Sequence, residues 1–237
     1  MSLKTPFYET HQRLGAEFAV YGQWELPADY GNPEAEFVGL KEKAVTFDLG
    51  SFGRIDIRGK NSSDLLKKIF PADIEKLQEN KWIWSKICEA DVRIAQLPKS
   101  YLLLTGPSQR ESAANLLKNT AAEAGLGDVQ ITDKTLETGM QAIYGPVAFD
   151  TVEKIMPIDI GLLGENSCMS INVFMMQMTV IRGGWLKGDG IEIIAGSSAC
   201  KLAAGALEKY QNRRDVIPAG TECLKKGLKA ASVAVSL

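Results

Sequence analysis

A chain of 237 residues can bury a substantial core, and 45% hydrophobic with 24% charged residues is the balance of an ordinary globular protein. A formal net charge of −2 gives no electrostatic reason to expect nucleic acid or an anionic membrane as partner. No apolar run reaches the roughly 18 residues that a membrane-spanning helix needs. The N-terminus carries no signal-peptide core, and Cys88, Cys168, Cys200 and Cys223 show neither zinc-ligand spacing nor a disulfide framework. Reduced thiols and a cytoplasmic location are the expectation.

His11 is the only histidine, in the polar run Glu9-Thr-His-Gln-Arg13, and reads as a helix-surface residue. A Ser-His-Asp or Cys-His device would have to use it, and no G-x-S-x-G turn accompanies it. Tyr21-Gly-Gln-Trp-Glu-Leu-Pro-Ala-Asp-Tyr30 packs three large rings into ten residues, each ring apolar with a polar handle.

Residues 32–47 read as a helix, with Asn32 as N-cap, Pro33 in the first turn and acids at Glu34 and Glu36. Gly53–Gly59 alternates as a half-buried strand. Asn61–Asp64 caps a short helix carrying Leu65, Leu66 and Ile69, and Lys81–Ile87 is a strand rich in aromatic and β-branched residues. Asp91–Leu97 and Tyr101–Thr105 form a hairpin turning at Pro98–Ser100. Ser108-Gln-Arg-Glu111 spells a capping box for a helix running to about Ala124. Strands follow at Asp128–Thr132 and Met140–Tyr144, then a helix ending near Met156. Long strands at Ile171–Arg182 and Gly190–Ala195 precede a last helix over Ser197–Gln211. Phe174-Met-Met-Gln-Met178 lies on an alternating strand, where Met serves as core filler.

The order β(101)-α(108)-β(128)-β(140)-α(147)-β(171) matches a ferredoxin-like βαββαβ pattern, giving an α+β fold with approximate subdomains 1–89 and 90–237.

Thr5-Pro-Phe-Tyr8 through Tyr30 resembles the opening signature of the glycine-cleavage T protein (aminomethyltransferase) family. Ala44–Gly53 resembles that family's A-x-x-F-D-L-S-x-M-G segment, Met140–Pro146 its strand ending in G-P, and Arg182–Glu192 its R-T-G-Y-T-G-E-D-G-x-E block. The resemblance implies a folate-binding T-protein-like fold, tetrahydrofolate as cofactor and a small-molecule one-carbon donor. Such a site needs a carboxylate for the pterin N–H donors and the reacting amine, with flat rings around the pterin. On this alignment Asp91 is the catalytic carboxylate, and Phe52, Trp84, Thr105, Trp185 and Asp189 contact the cofactor.

The chain departs from the family in places. The glycine-pair hairpin before Asp91 is shortened, the pterin-binding glutamate aligns with Gly188, and the folate-tail arginine aligns with Leu224, beside Lys225 and Lys226. Relatives continue into a C-terminal β-barrel domain, which this chain is expected to lack. A partner subunit or homo-oligomer would then cover the exposed face. The main reading is a one-carbon (aminomethyl or methyl) transferase with an atypical site. The alternatives are a catalytically impaired folate-binding or regulatory protein, or a non-catalytic subunit of a larger demethylase or oxidoreductase complex.

Overall fold

The computed structural model describes residues 1–155, 159–173, 175–212 and 216–237. It comprises two compact units, one of Met1–Ser51, Glu137–Glu165 and Ser170–Val233, the other of Phe52–Leu136, Asn166–Met169 and Ala234–Leu237. The boundary expected between residues 89 and 90 falls inside the second unit, in a tight hairpin turn where Cys88 takes a φ of +52°.

In chain order the first unit opens with α1 (Tyr8–Arg13), β1 (Glu17–Tyr21), β2 (Trp24–Asp29), α2 (Pro33–Glu42) and β3 (Val45–Asp48). Next come β4 (Gly53–Arg58), α3 (Ser62–Ile69), α4 (Pro71–Ile74), β5 (Lys81–Ile87), β6 (Ala90–Leu97), β7 (Ser100–Thr105), α5 (Arg110–Glu123) and β8 (Gln130–Asp133). The chain then returns through β9 (Thr138–Tyr144), α6 (Ala148–Ile155), β10 (Cys168–Val173), β11 (Met176–Arg182) and β12 (Gly190–Gly196). It ends with α7 (Ser197–Asn212), β13 (Ile217–Pro218) and α8 (Thr221–Ala230).

The second unit is built on a sheet ordered β5-β6-β7-β4-β8. Both β7 and β8 pair antiparallel with β4, so they run parallel to each other with α5 as their crossover, a split β-α-β. Strand alternation sends Ile55, Ile57, Val92, Ile94 and Leu103 to one face, where Leu65 and Leu66 of α3 and Ala113, Leu117 and Ala121 of α5 cover them. Burying each such Leu or Ile contributes roughly 1.5–3 kcal/mol.

The first unit carries a sheet ordered β10-β11-β12-β9-β3-β13, in which β3 runs antiparallel to β9 and parallel to β13. Phe7, Met178, Ala195, Ala199, Cys200 and Ala204 form a core cluster in this unit.

The six elements expected to form one βαββαβ sheet are thus divided. Strands β7 and β8 belong to the second unit's sheet, and β9 and β10 to the first unit's. The mixed α+β character holds, but the strand grouping differs, because pairing partners distant in sequence leave no trace in local periodicity.

Three local expectations also change. Asn32 does cap α2 by accepting from the Ala35 N–H at 3.0 Å, but the helix stops at Glu42, and Val45–Asp48 forms a fully buried strand. The β-branched pair Val45 and Thr46 with Phe47 favours the pleated sheet over a fourth helical turn. The capping box does not form: residues 107–109 make a 3-10 turn, the Ser108 hydroxyl donates to the Ser236 carbonyl at 3.2 Å, and α5 starts at Arg110. The strand expected over 171–182 is broken into β10 and β11, with Met175 at a φ of +65° and fully exposed. Of the methionines assigned to the core, Met178 is buried, Met176 half-buried and Met175 exposed, while Phe174 lies outside the described residues.

Candidate functional site

Four of the expected site residues lie in the second unit. Register pairing puts Arg54, Leu104, Arg93 and Trp84 in one row across β4, β7, β6 and β5, on the face opposite the helix-covered core. The Arg93 guanidinium is fully buried and stacks 4.9 Å from the Trp82 ring and 5.8 Å from the Trp84 ring. The two indoles meet edge to face at 5.8 Å. Phe52 is fully buried, and its carbonyl accepts from Arg54 Nη1 at 2.6 Å. Thr105 is also fully buried, opposite Gly53, and its hydroxyl donates to the Gly106 carbonyl at 3.0 Å. A Cβ at Gly53 would run into that hydroxyl, so glycine lets β4 and β7 close at this point.

Asp91 is the second residue of β6, paired with Lys86 of β5, and its carboxylate is engaged by the chain itself. Asp91 N–H donates to the Ala234 carbonyl at 2.9 Å, and Ala234 N–H donates to Asp91 Oδ2 at 2.7 Å. Lys86 Nζ lies 3.9 Å from Asp91 Oδ1. Segment 234–237 is held further at Ser108, whose N–H and hydroxyl both meet the Ser236 carbonyl.

The remaining two candidates lie in the first unit. Trp185 is fully buried, and its backbone N–H lies 3.0 Å from Tyr144 Oη and 3.1 Å from Glu192 Oε1. The Tyr144 hydroxyl donates to that same Glu192 oxygen in a short hydrogen bond. Glu192 is fully buried, so this block encloses a carboxylate, with the Trp185 backbone N–H and the Tyr144 hydroxyl both at one of its oxygens. Glycines make room for the arrangement: a Cβ at Gly184 would strike Glu192 and Tyr144, and one at Gly190 would strike the Tyr144 ring.

Asp189 is exposed, and its backbone carbonyl accepts from the Gly145 N–H at 3.1 Å. Gly188 is exposed too, and a Cβ there would approach only the Leu186 carbonyl, at 3.9 Å. The buried carboxylate of the block is therefore Glu192. It lies across from Ala142 and Ile181 inside a central strand, a placement set by pairing with strands distant in sequence.

At the position aligned with the folate-tail arginine, Leu224 is buried within α8. Lys225 pairs with Glu222 at 2.9 Å and sits 4.4 Å over the Tyr21 ring, and Lys226 pairs with Glu34. Both lysines are already engaged by the chain.

A third polar cluster corrects the reading of His11, which is buried rather than on a helix surface. Its Nε2 lies 3.1 Å from Asp48 Oδ2 and its Nδ1 2.6 Å from the Tyr30 hydroxyl. Thr5 donates to the same Asp48 oxygen, and Gly50 N–H donates to Asp48 Oδ1 at 2.8 Å. Burial pushes the Tyr30 phenol well above its ordinary range, reinforced by the charges of Asp48 and Glu36, so it stays a neutral hydrogen-bonding group. Burial likewise raises Glu36, although the Gly220 and Tyr30 N–H groups it accepts from pull the other way. The cluster ties Thr5, α1 and the segment after β2 to β3, which gives it a structural task.

Among the described residues no group of His, Cys, Asp and Glu is arranged to hold a metal ion. Nor is any described helix long and apolar enough to cross a membrane.

Comparison with known proteins agrees with this architecture. Residues 7–228 match the family described as the GCVT N-terminal domain. An aminomethyltransferase of Geobacillus thermodenitrificans is 29% identical over 203 residues, covering 81% of this chain and 54% of that protein. One from Bacillus pumilus is 26% identical over 228 residues, covering 93% and 62%. The glycine cleavage system aminomethyltransferase T of Bartonella henselae superposes with a TM-score of 0.86 at 19% identity, covering 99% of this chain and 64% of that one. A heterotetrameric sarcosine oxidase from Corynebacterium sp. U-96 shares the fold at a TM-score of 0.54 and 14% identity, covering 78% of this chain and 94% of that one. The chain spans 54% and 62% of the length of the two aminomethyltransferases. With the match running from the ring-rich N-terminal segment into α8, the chain belongs to the GCVT N-terminal domain family, that of the glycine cleavage T-type aminomethyltransferases.

Proposed function

We propose that the chain binds tetrahydrofolate and serves one-carbon transfer, with Asp91 as the carboxylate at the reacting amine. The observation that supports this reading is the match of residues 7–228 to the GCVT N-terminal domain family, with a half-buried Asp91 and a half-buried Trp84 on adjacent strands of one sheet. A pterin presents several N–H donors on a flat ring, so a site for it needs an accessible carboxylate and an aromatic face. Glu192 and Trp185 are fully enclosed and offer it neither, whereas Asp91 and Trp84 are partly exposed.

When bound, tetrahydrofolate supplies the nitrogen that accepts the one-carbon unit. The chain's own residues would bind and orient, with the Trp84 indole offering an apolar ring face. Phe52, Thr105, Trp185 and Asp189 remain the other proposed contacts. Asp91 is the proposed carboxylate for positive charge developing on a donor amine, and a low-dielectric setting would strengthen that effect. Its Oδ2 already accepts from the Ala234 N–H, so Oδ1 is the oxygen that would meet the amine.

Titration calorimetry with tetrahydrofolate tests the reading. The wild type binds, and Asp91→Asn weakens binding by roughly 10- to 100-fold, the loss expected for a charged hydrogen bond. Failure of the wild type to bind overturns the proposal.

One observation favours a second reading. Because Asp91 is occupied by segment 234–237, the chain also fits a folate-binding protein that does not catalyse transfer, acting alone or in a larger assembly. The sarcosine oxidase likeness reflects fold alone, yet that protein is heterotetrameric, which makes a partner subunit worth testing. Binding without transfer from an aminomethyl or methyl donor, or co-purification with a second polypeptide, would select this reading. A cytoplasmic location is part of the proposal in either form.

A further inference from the structure

We infer that Ala234 is a positioning residue, whose N–H holds one oxygen of the Asp91 carboxylate and so presents the other to the proposed site. This rests on the reading of Asp91 as the carboxylate at the reacting amine, and adds how the chain orients it.

Asp91, Ser108 and segment 234–237 all belong to the second unit. Pairing of β6 with β7 begins at Arg93, so the Asp91 backbone lies beyond the part of β6 that β7 covers. The Ala234 carbonyl takes the Asp91 N–H at 2.9 Å, and the Ala234 N–H returns a bond to Asp91 Oδ2 at 2.7 Å. Two residues on, the Ser236 carbonyl accepts from both the N–H and the hydroxyl of Ser108. Between these anchors Val235 packs over Gly106, where an added Cβ would come within 3.1 Å of the Val235 Cβ.

The two carboxylate oxygens therefore have different surroundings. Oδ2 meets a backbone donor that cannot swing away unless the anchored segment moves with it. Oδ1 has Lys86 Nζ at 3.9 Å, on a side chain that is 59% exposed. An ion pair that long on an exposed lysine is weak and gives way readily to another cation. The carboxylate also shares a face of the sheet with Trp84, since Asp91 pairs with Lys86 and Trp84 stands two residues before it on β5. A partly exposed aspartate fixed only through its backbone would rotate about its side-chain bonds, and a ligand would have to order it. Holding Oδ2 in advance removes that ordering cost, the usual benefit of preorganisation.

The experiment compares the full-length wild type with Ala234→Pro, Val235→Gly, Asp91→Ala and the Ala234→Pro, Asp91→Ala double variant. Ala234→Pro deletes the N–H that reaches Oδ2, while Val235→Gly loosens the segment and keeps that N–H. Tetrahydrofolate binding is measured by calorimetry, and the three-bond Hα–Hβ couplings of Asp91 by NMR in the ligand-free protein. The couplings should report one side-chain rotamer in the wild type and an average over several in Ala234→Pro. Ala234→Pro is expected to weaken tetrahydrofolate by about 3- to 10-fold, on the scale of one hydrogen bond, with Val235→Gly losing less. On the Asp91→Ala background it should cost little more.

Unchanged couplings in Ala234→Pro would mean that the segment does not fix the carboxylate. Tighter tetrahydrofolate binding would mean that it competes with the ligand, and equal losses with and without the Asp91 carboxylate would mean that it acts elsewhere. Each of these results overturns the inference. If the wild type fails to bind tetrahydrofolate, the reading of Asp91 falls, and the couplings alone decide whether Ala234 sets its carboxylate.

Discussion

His11 Nε2 and Asp48 Oδ2 lie 3.1 Å apart in the first unit, with both side chains buried. Tyr30 and Thr5 complete the cluster, so that each polar group is satisfied by another from a distant part of the chain. Removing the imidazole leaves a buried carboxylate and a buried phenol each short of a partner. His11→Ala is expected to destabilise the protein by roughly 2–4 kcal/mol, with His11→Gln losing less. Urea unfolding measures this, and a loss below about 0.5 kcal/mol would contradict the assigned role.

That cluster also illustrates how much the sequence revealed. Elements with strong local signals were legible: β5 runs from Lys81 to Ile87 as expected, and Asn32 caps α2. The family was legible because Thr5–Tyr30, Ala44–Gly53 and Arg182–Glu192 are sparse in alternatives for their turn and ring residues. What stayed hidden depends on partners far away in the chain. His11 sits in a polar run and looks solvated until Asp48 and Tyr30 close over it. Ser108 has the spacing of a capping residue, but the Ser236 carbonyl competes for its hydroxyl. Glu192 reads as one of two acids in its block, and only pairing of β12 with β9 shows it to be buried.

Asp91 and Ala234 exchange two hydrogen bonds, one through the Asp91 carboxylate. Asp91→Ala removes the acceptor and keeps the backbone bond, so segment 234–237 should loosen without global unfolding. The expected result is amide exchange at Ala234 accelerated by about 10-fold, with overall stability lower by only about 1 kcal/mol. Unchanged protection at Ala234 would show that the carboxylate does not hold the segment.

The thiols give a pH dependence whose sign can be stated. Burial pushes Cys168 up to about 12 from an ordinary 9.0. Burial does the same to Cys223, up to about 12, with the Glu36 charge adding to it. In each case the unfolded chain loses the proton first. The contribution to stability is therefore complete below about pH 9 and is lost as pH rises toward about 12, by roughly 1.4 kcal/mol per pH unit for each thiol. A Cys168→Ala, Cys223→Ala double variant should show a flatter decline than wild type in urea unfolding at pH 9 to 11, and parallel slopes would refute this. Alkylation offers a direct companion test: exposed Cys88 should react in the native state, and Cys168, Cys200 and Cys223 only after unfolding.

Gly190 and Tyr144 face each other across β12 and β9, and a Cβ on Gly190 would enter the Tyr144 ring. Fixed strands on both sides leave the ring no easy retreat, since Val45 of β3 pairs with Tyr144 from the other edge. Gly190→Ala should therefore destabilise the first unit by roughly 1–3 kcal/mol through overpacking. Trimming the ring relieves that overlap, so Gly190→Ala combined with Tyr144→Leu should be more stable than the sum of the two single losses predicts. A coupling of about 1 kcal/mol or more in a double-mutant cycle is expected for side chains in direct contact. Additive losses would mean that Gly190 is needed for its backbone alone, and that the space it leaves is not there for the phenol.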